Sequence, residues 1–156
     1  MGVCRVKALI PAPLPRVWDF IIDPRNMHLW GPVPEPVTGI DRPLQTGDRL
    51  LQPRTDFFRR YTQEILVEEV VPYLFVRMRD LSPSGRRLDA TATISVAAAG
   101  DPGTSWIEEM ISYSLGTGRV IRWVDRWLLY PLLGLVIRWK TKKAFRRLRK
   151  LLANLK

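Results

Sequence analysis

At 156 residues, with 46% apolar and 26% charged residues, the chain is long enough for one domain with its own core. A single cysteine, Cys4, and a single histidine, His28, exclude an intrachain disulfide and metal sites built from several Cys or His ligands. The net charge of +10 is uneven: residues 1–109 carry 13 Lys/Arg against 14 Asp/Glu, and residues 110–156 carry 12 against Asp125 alone.

Residues 3–10, VCRVKALI, alternate, with Val3, Arg5 and Lys7 opposing Cys4, Val6 and Ala8. That pattern predicts an opening strand with one buried face. Because the alternation begins at once, no signal peptide is visible, and Val6 stands where a myristoylation motif needs Ser or Thr. A cytoplasmic protein is expected. Pro15 suits a helix start, and Val17, Trp18, Ile21 and Ile22 follow at helical spacing. Asp23-Pro24 ends that helix and begins a second short one over PRNMHLW, 24–30. Pro32, Pro34 and Pro36 make an extended exit with few free N–H groups.

From residue 37 the chain reads as strands: VTGI, GDRLLQPRT, RRYTQEILVEEVV, YLFVRMRDL, RRLDATATISVA and SWIEEMISYSL. The separators are short and turn-forming, Ser82-Pro83-Ser84-Gly85 and Gly100-Asp101-Pro102-Gly103 among them, so an antiparallel meander is expected. In LDATATISV, Leu88, Ala90, Ala92, Ile94 and Val96 share one face. After Gly116 and Gly118 the pattern is helical to about residue 155. The predicted architecture is α+β: a curved antiparallel sheet of about seven strands gripping a long C-terminal helix (about 119–155). Two short helices follow the first strand, and one domain spans 1–156.

The stretch LIPAPLPRVWDFIIDPRNMHLW, the Gly47-Asp48 turn, VEEVVPYLFVRM and the long last helix resemble the START/polyketide-cyclase (SRPBCC, helix-grip) superfamily. The resemblance covers nearly the whole chain in element order, and its motifs are signatures of fold rather than of catalysis. It implies a cavity between sheet and helix that binds a hydrophobic small molecule or lipid. It also implies a minority alternative, a cyclase- or dehydratase-like enzyme. Fold alone does not choose between them.

The residues offer few catalytic groups. Glu68-Glu69 and Glu108-Glu109 are carboxylate pairs on strands, where neighbours point to opposite faces, so each pair sends at most one side chain inward. An inward carboxylate has its pKa raised by desolvation. Glu109, Tyr113 and Asp89 are the candidates for acid–base work. Large aromatics with one polar atom suit a cavity that accepts an apolar ligand. Trp30, Tyr61, Tyr113, Trp123 and Trp127 are the expected lining, with Arg79 to orient a polar head group. Neither a metal nor any other cofactor is implied.

The last helix raises a separate question. Its uncharged run, Trp127 to Ile137, holds 11 residues including Pro131 and Gly134, too short for a membrane span of about 20. These residues are apolar all round, which predicts contact with something besides their own sheet. Lys140, Lys142, Lys143, Arg146, Arg147, Arg149 and Lys150 follow. Aromatic and apolar residues next to a basic block are the composition of an interfacial helix. An anionic membrane surface is thus an expected partner, in the manner of a peripheral adaptor or assembly factor. A homodimer through this helix is the alternative. Nucleic acid is disfavoured, because no Gly-rich phosphate loop, zinc finger or ribonucleoprotein signature accompanies the charge.

Overall fold

The computed structural model describes residues 2–31, 37, 39–55, 60–81, 88–115 and 130–154, without the side chains of 54, 55, 60, 61, 88, 89, 115 and 130. Strand β1 (Gly2–Ile10) leads into helix α1 (Leu14–Ile22). A 3-10 turn (Pro24–Asn26) and the short helix α2 (Met27–Trp30) follow. Strands β2 (Arg49–Thr55), β3 (Arg60–Val71), β4 (Phe75–Asp80), β5 (Leu88–Ala98) and β6 (Ser105–Leu115) come next, and helix α3 (Tyr130–Asn154) closes the chain. The described strands form one antiparallel sheet in the order β1-β6-β5-β4-β3-β2. Four consecutive hairpins build the meander, and β1 joins it beside β6, the last strand.

Among the described residues the sheet has six strands where about seven were expected. The surplus expectation was Val37–Ile40, of which the described residues Val37, Gly39 and Ile40 lie in no strand: Gly39 has φ 99°, outside the extended region. The expected helix start at residue 119 lies outside the described residues. Within them α3 runs from Tyr130 to Asn154, with Pro131 at its second described position.

One face of the sheet is the core. Hydrogen-bonded register sets Val6 opposite Glu109, Glu109 opposite Ile94, Ile94 opposite Val76 and Val76 opposite Val70. The next row reads Cys4, Ile111, Ala92, Met78, Val67. Helix α3 lies over β1 and touches α2, while α1 packs on β5. The helix is held by a single line of buried side chains, Thr141, Ala144, Phe145, Leu148 and Leu152, at the spacing of one helical face. At the entry to α1, buried Ser105 donates its hydroxyl to the Ala12 carbonyl at 2.8 Å, tying β6 to the turn after β1.

The outer face carries the charge. Arg5 pairs with Glu108 at 3.0 Å, Arg77 with Glu69 at 3.0 Å and Arg79 with Glu68 at 3.1 Å. Adjacent Glu68 and Glu69 both reach outer arginines because the register slips by one residue between Val67 and Glu69.

The helix register has a direct check. Leu148 is fully buried and Leu135 is mostly exposed. Leu148→Ala is expected to cost about 2–5 kcal/mol in chemical denaturation. Leu135→Ala is expected to change stability by less than about 0.5 kcal/mol.

Candidate functional site at the sheet–helix interface

The inner face is not uniformly closed. Val6, Ile94, Val76, Ile107 and Val96 are buried, whereas Ile65, Met78, Ala90, Ala92 and Ile111 keep partial access. These five occupy the rows farther along the sheet, on β3 to β6, and two of them are alanines.

Glu109 sits at the boundary between the two regions. Its register neighbours are Val6 and Ile94, and its Oε2 accepts a hydrogen bond from Thr141 Oγ1 of α3 at 2.7 Å. Burial pushes its carboxyl above the ordinary 4.5, and the Thr141 hydrogen bond opposes that rise without cancelling it. Protein surrounds Glu109 on nearly every side, yet part of its surface remains accessible. A side chain lining an internal space has both properties. Its neighbour Glu108 points outward to Arg5, as strand alternation requires.

Tyr113 lies one row beyond Ile111 on the same face and is buried. A Cβ placed at Gly134 of α3 would meet its Oη at 2.9 Å, and one at Gly2 of β1 would meet its ring at 2.5 Å. Two glycines therefore let a phenol fit between the edge strand and the helix. Cys4, diagonal to Glu109, directs its thiol at the Gly134 carbonyl at 3.7 Å. Its pKa is raised by burial, an effect that Arg138 counters and Glu109 reinforces. A thiol in that setting is a weak nucleophile.

A second polar group lies at the far side of the inner face. Gln63 Nε2 donates to Asp80 Oδ2 at 2.7 Å, and Gln52, opposite Gln63 in register, is 4% exposed. Gln52 Oε1 is buried with no hydrogen-bond partner among the described residues. The inner face thus offers apolar walls, a carboxyl at one side and a carboxamide at the other.

The residues predicted from sequence separate under this geometry. Glu109 and Tyr113 are brought together under α3. Trp30 is buried on α2, its indole N–H without a hydrogen-bond partner among the described residues. Arg79 does not face the interior: it lies on the outer face, exposed and paired with Glu68, opposite Thr91. Asp89 pairs through its backbone with Ser114 and Tyr61 with Arg54, but both side chains lie outside those described. Trp123 and Trp127 also lie outside the described residues. Sequence reasoning missed Thr141, a threonine within a basic block, and Gln52 and Gln63, which carry no motif. Strand period was the available signal for both glutamines: each lies two residues from an apolar position on its own strand, Leu50 and Ile65.

No protein-family model and no curated protein matches the chain by sequence. Solved structures do match it in fold. The di-domain ARO/CYC protein BexL from the BE-7585A biosynthetic pathway superposes with a TM-score of 0.70 at 15% identity, over 99% of this chain and 48% of its own. Protein MLL2253 from Mesorhizobium loti gives 0.68 at 16% identity, over 99% and 98%. DynU16, from the dynemicin biosynthetic locus, gives 0.65 at 18% identity, over 99% and 48%. The chain therefore has the fold of these proteins and the length of one half of BexL or DynU16. That fold is consistent with the polyketide-cyclase-like architecture expected from the sequence.

Two measurements test the site. A carboxyl whose folded pKa is raised contributes stability that is full below its unfolded pKa and is lost as pH rises through the folded value. Denaturation from pH 4 upward is expected to show stability falling above the ordinary 4.5, by up to about 1.4 kcal/mol per pH unit. Glu109→Gln, which keeps an oxygen for Thr141, should remove that slope. In the second measurement, Gly134→Ala should gain nothing in the wild-type background, where the new methyl meets Tyr113 Oη. In a Tyr113→Phe background the same change should stabilise by about 1 kcal/mol, the usual helical advantage of alanine over glycine.

Proposed function

We propose that the chain binds a hydrophobic small molecule or lipid between the inner face of the sheet and α3, as a carrier, sensor or sequestering protein. The observation that carries this reading is the partly accessible apolar inner face of Ile65, Met78, Ala90, Ala92 and Ile111 beside a buried carboxyl. Burial of apolar ligand surface supplies the affinity. Glu109 and Gln52, at opposite sides of that face, suit a ligand with polar groups at its ends.

A second reading, a cyclase- or dehydratase-like enzyme, is favoured by the upward shift at Glu109. A carboxyl whose burial favours the protonated form can act as a general acid toward a carbonyl oxygen. Tyr113 lies on the same strand face, two rows away. Fold likeness to the ARO/CYC protein BexL supports considering it.

Native mass spectrometry of the freshly purified chain is expected to reveal a co-purified apolar molecule. A neutral fluorophore such as N-phenyl-1-naphthylamine should also bind, and Ala92→Trp should weaken that binding at least tenfold, on the order expected for filling part of a pocket, with folding retained. The reading fails if the wild type carries nothing and binds no apolar probe, or if Ala92→Trp unfolds the protein because the space is packed. Retained binding in Glu109→Gln points to a carrier. Loss of turnover of an identified substrate in that variant, with binding intact, points to the enzyme.

A further inference from the structure

The solvent face of α3 is divided along its length. At 100° per residue, the line opposite Thr141 and Leu148 runs through Leu132, Leu135, Val136 and Trp139, then through Lys143, Arg146, Arg147 and Lys150. The first four are 53, 62, 48 and 62% exposed. In the described part of the 127–137 stretch, expected to be apolar all round, two faces separate: Leu133 and Ile137 pack on the core, while Leu132, Leu135 and Val136, with Trp139 just beyond the stretch, are exposed. Lys143 Nζ lies 5.2 Å from the centre of the Trp139 ring, at the junction of the apolar and basic halves. No acidic residue occurs in Tyr130–Asn154, and among the described residues no ion pair reaches its cations.

A groove of about 250 Å³ lies beside this face, between α3 and the edge strand β1. Its apolar part is Val6, Ala8, Leu9 and Phe145, and its remaining lining residues are Lys7, Lys142, Arg146 and Arg149. Lys7 also stands 4.4 Å over the Trp106 ring on the neighbouring strand. An apolar floor rimmed by cations, with no carboxylate in the lining, fits a phosphate-bearing head group whose glycerol and upper chain carbons lie against hydrocarbon.

We infer that the solvent face of α3, with this groove, docks on an anionic phospholipid bilayer. The apolar half enters the interface with Trp139 at head-group depth, and the basic half lies over the anionic surface. No helix among the described residues is long and apolar enough to cross a membrane, so the contact is with the surface. A second copy of the chain fits less well. The four apolar side chains expose roughly 400 Å² together, about half of what one partner buries in a standard interface. Extending that contact along the helix brings a second copy's cations against these. A nucleic acid leaves the four apolar side chains without a partner, because its backbone offers them only phosphate and sugar. The inference is independent of what occupies the interior.

Vesicle flotation with the full chain tests it. Vesicles of phosphatidylcholine containing a quarter phosphatidylglycerol should bind the wild type, and pure phosphatidylcholine vesicles should bind it far less. Raising salt from about 0.1 M to about 1 M, which shortens screening from ~10 Å to ~3 Å, should release most of it. Each cation near an anionic surface contributes about fivefold in binding, so replacing Lys143, Arg146, Arg147 and Lys150 by Gln should weaken it by about a hundredfold or more. Leu135→Ser/Trp139→Ser should weaken it on the order of tenfold at unchanged charge. Both variants alter exposed side chains, and their thermal melts should match the wild type. If the quadruple variant does not fold, Lys7→Gln/Arg149→Gln is the substitute, with an expected loss of about tenfold or more. The inference is overturned if the wild type ignores anionic vesicles or binds neutral ones equally. It is also overturned if Leu135→Ser/Trp139→Ser only dissolves a dimer seen by sedimentation, or if duplex DNA is retained while vesicles are not.

Discussion

A sheet of six strands is about 24 Å wide across its strands, and an α-helix with its side chains is about 10 Å. One long helix therefore cannot cover one face of such a sheet, and the rest of this structure follows from that mismatch. Helix α3 lies at the β1 side, where Val6, Ile94 and Ile107 are sealed. Helices α1 and α2 take up more of the face, with Val17, Trp18, Ile21 and Ile22 buried on α1. What the described helices leave accessible is the stretch from Ile65 to Ile111, where side chains shrink to Ala90 and Ala92. A sandwich covers its inner face with a second sheet. Here the described helices leave part of the inner face accessible, and the proposed ligand would lie there.

The carboxyl at Glu109 is placed where that mismatch begins. Between Val6 and Ile94 the carboxyl of Glu109 is largely desolvated, so burial favours its neutral form. Thr141 compensates in part, and because it stands on α3 it makes the carboxyl a link between sheet and helix rather than a group belonging to either. Gly134, two turns earlier, brings the same helix close enough for Tyr113 to fit beneath it. The polar chemistry of the interior and the seating of the helix are thus settled by the same few residues.

How much of this was legible in the sequence varies with the physics involved. Strand β5 is a clear case: LDATATISV alternates, and Ile94 and Val96 are buried as the period requires. The Glu108-Glu109 pair was legible for the same reason, since alternation sends one carboxylate each way. Glu68-Glu69 was only half legible. Both side chains reach outer arginines, because a bulge depends on pairing with β4 and leaves little trace in local sequence. Arg79 was assigned inward on its chemistry, although its strand neighbour Met78 is the apolar residue and Arg79 belongs to the opposite face. The partner of Glu109 was not legible at all: Thr141 is 32 residues away in sequence, and only the docking angle of α3 joins them.

The pairing of β1 with β6 has a consequence for how the chain is made. Cys4 finds Ile111 opposite it, so β1 has no β6 partner until about a hundred further residues have been made. Closing so long a loop adds little to the cost of the finished fold, since that cost grows only with the logarithm of loop length. It weighs instead on speed, because contacts of high sequence separation come slowly. Until β6 is made, Val6, Ile10 and Cys4 lack the strand that pairs with theirs in the folded sheet. In the folded protein the Cys4 thiol is buried against α3, so an oxidant or electrophile reaches it only when that contact opens.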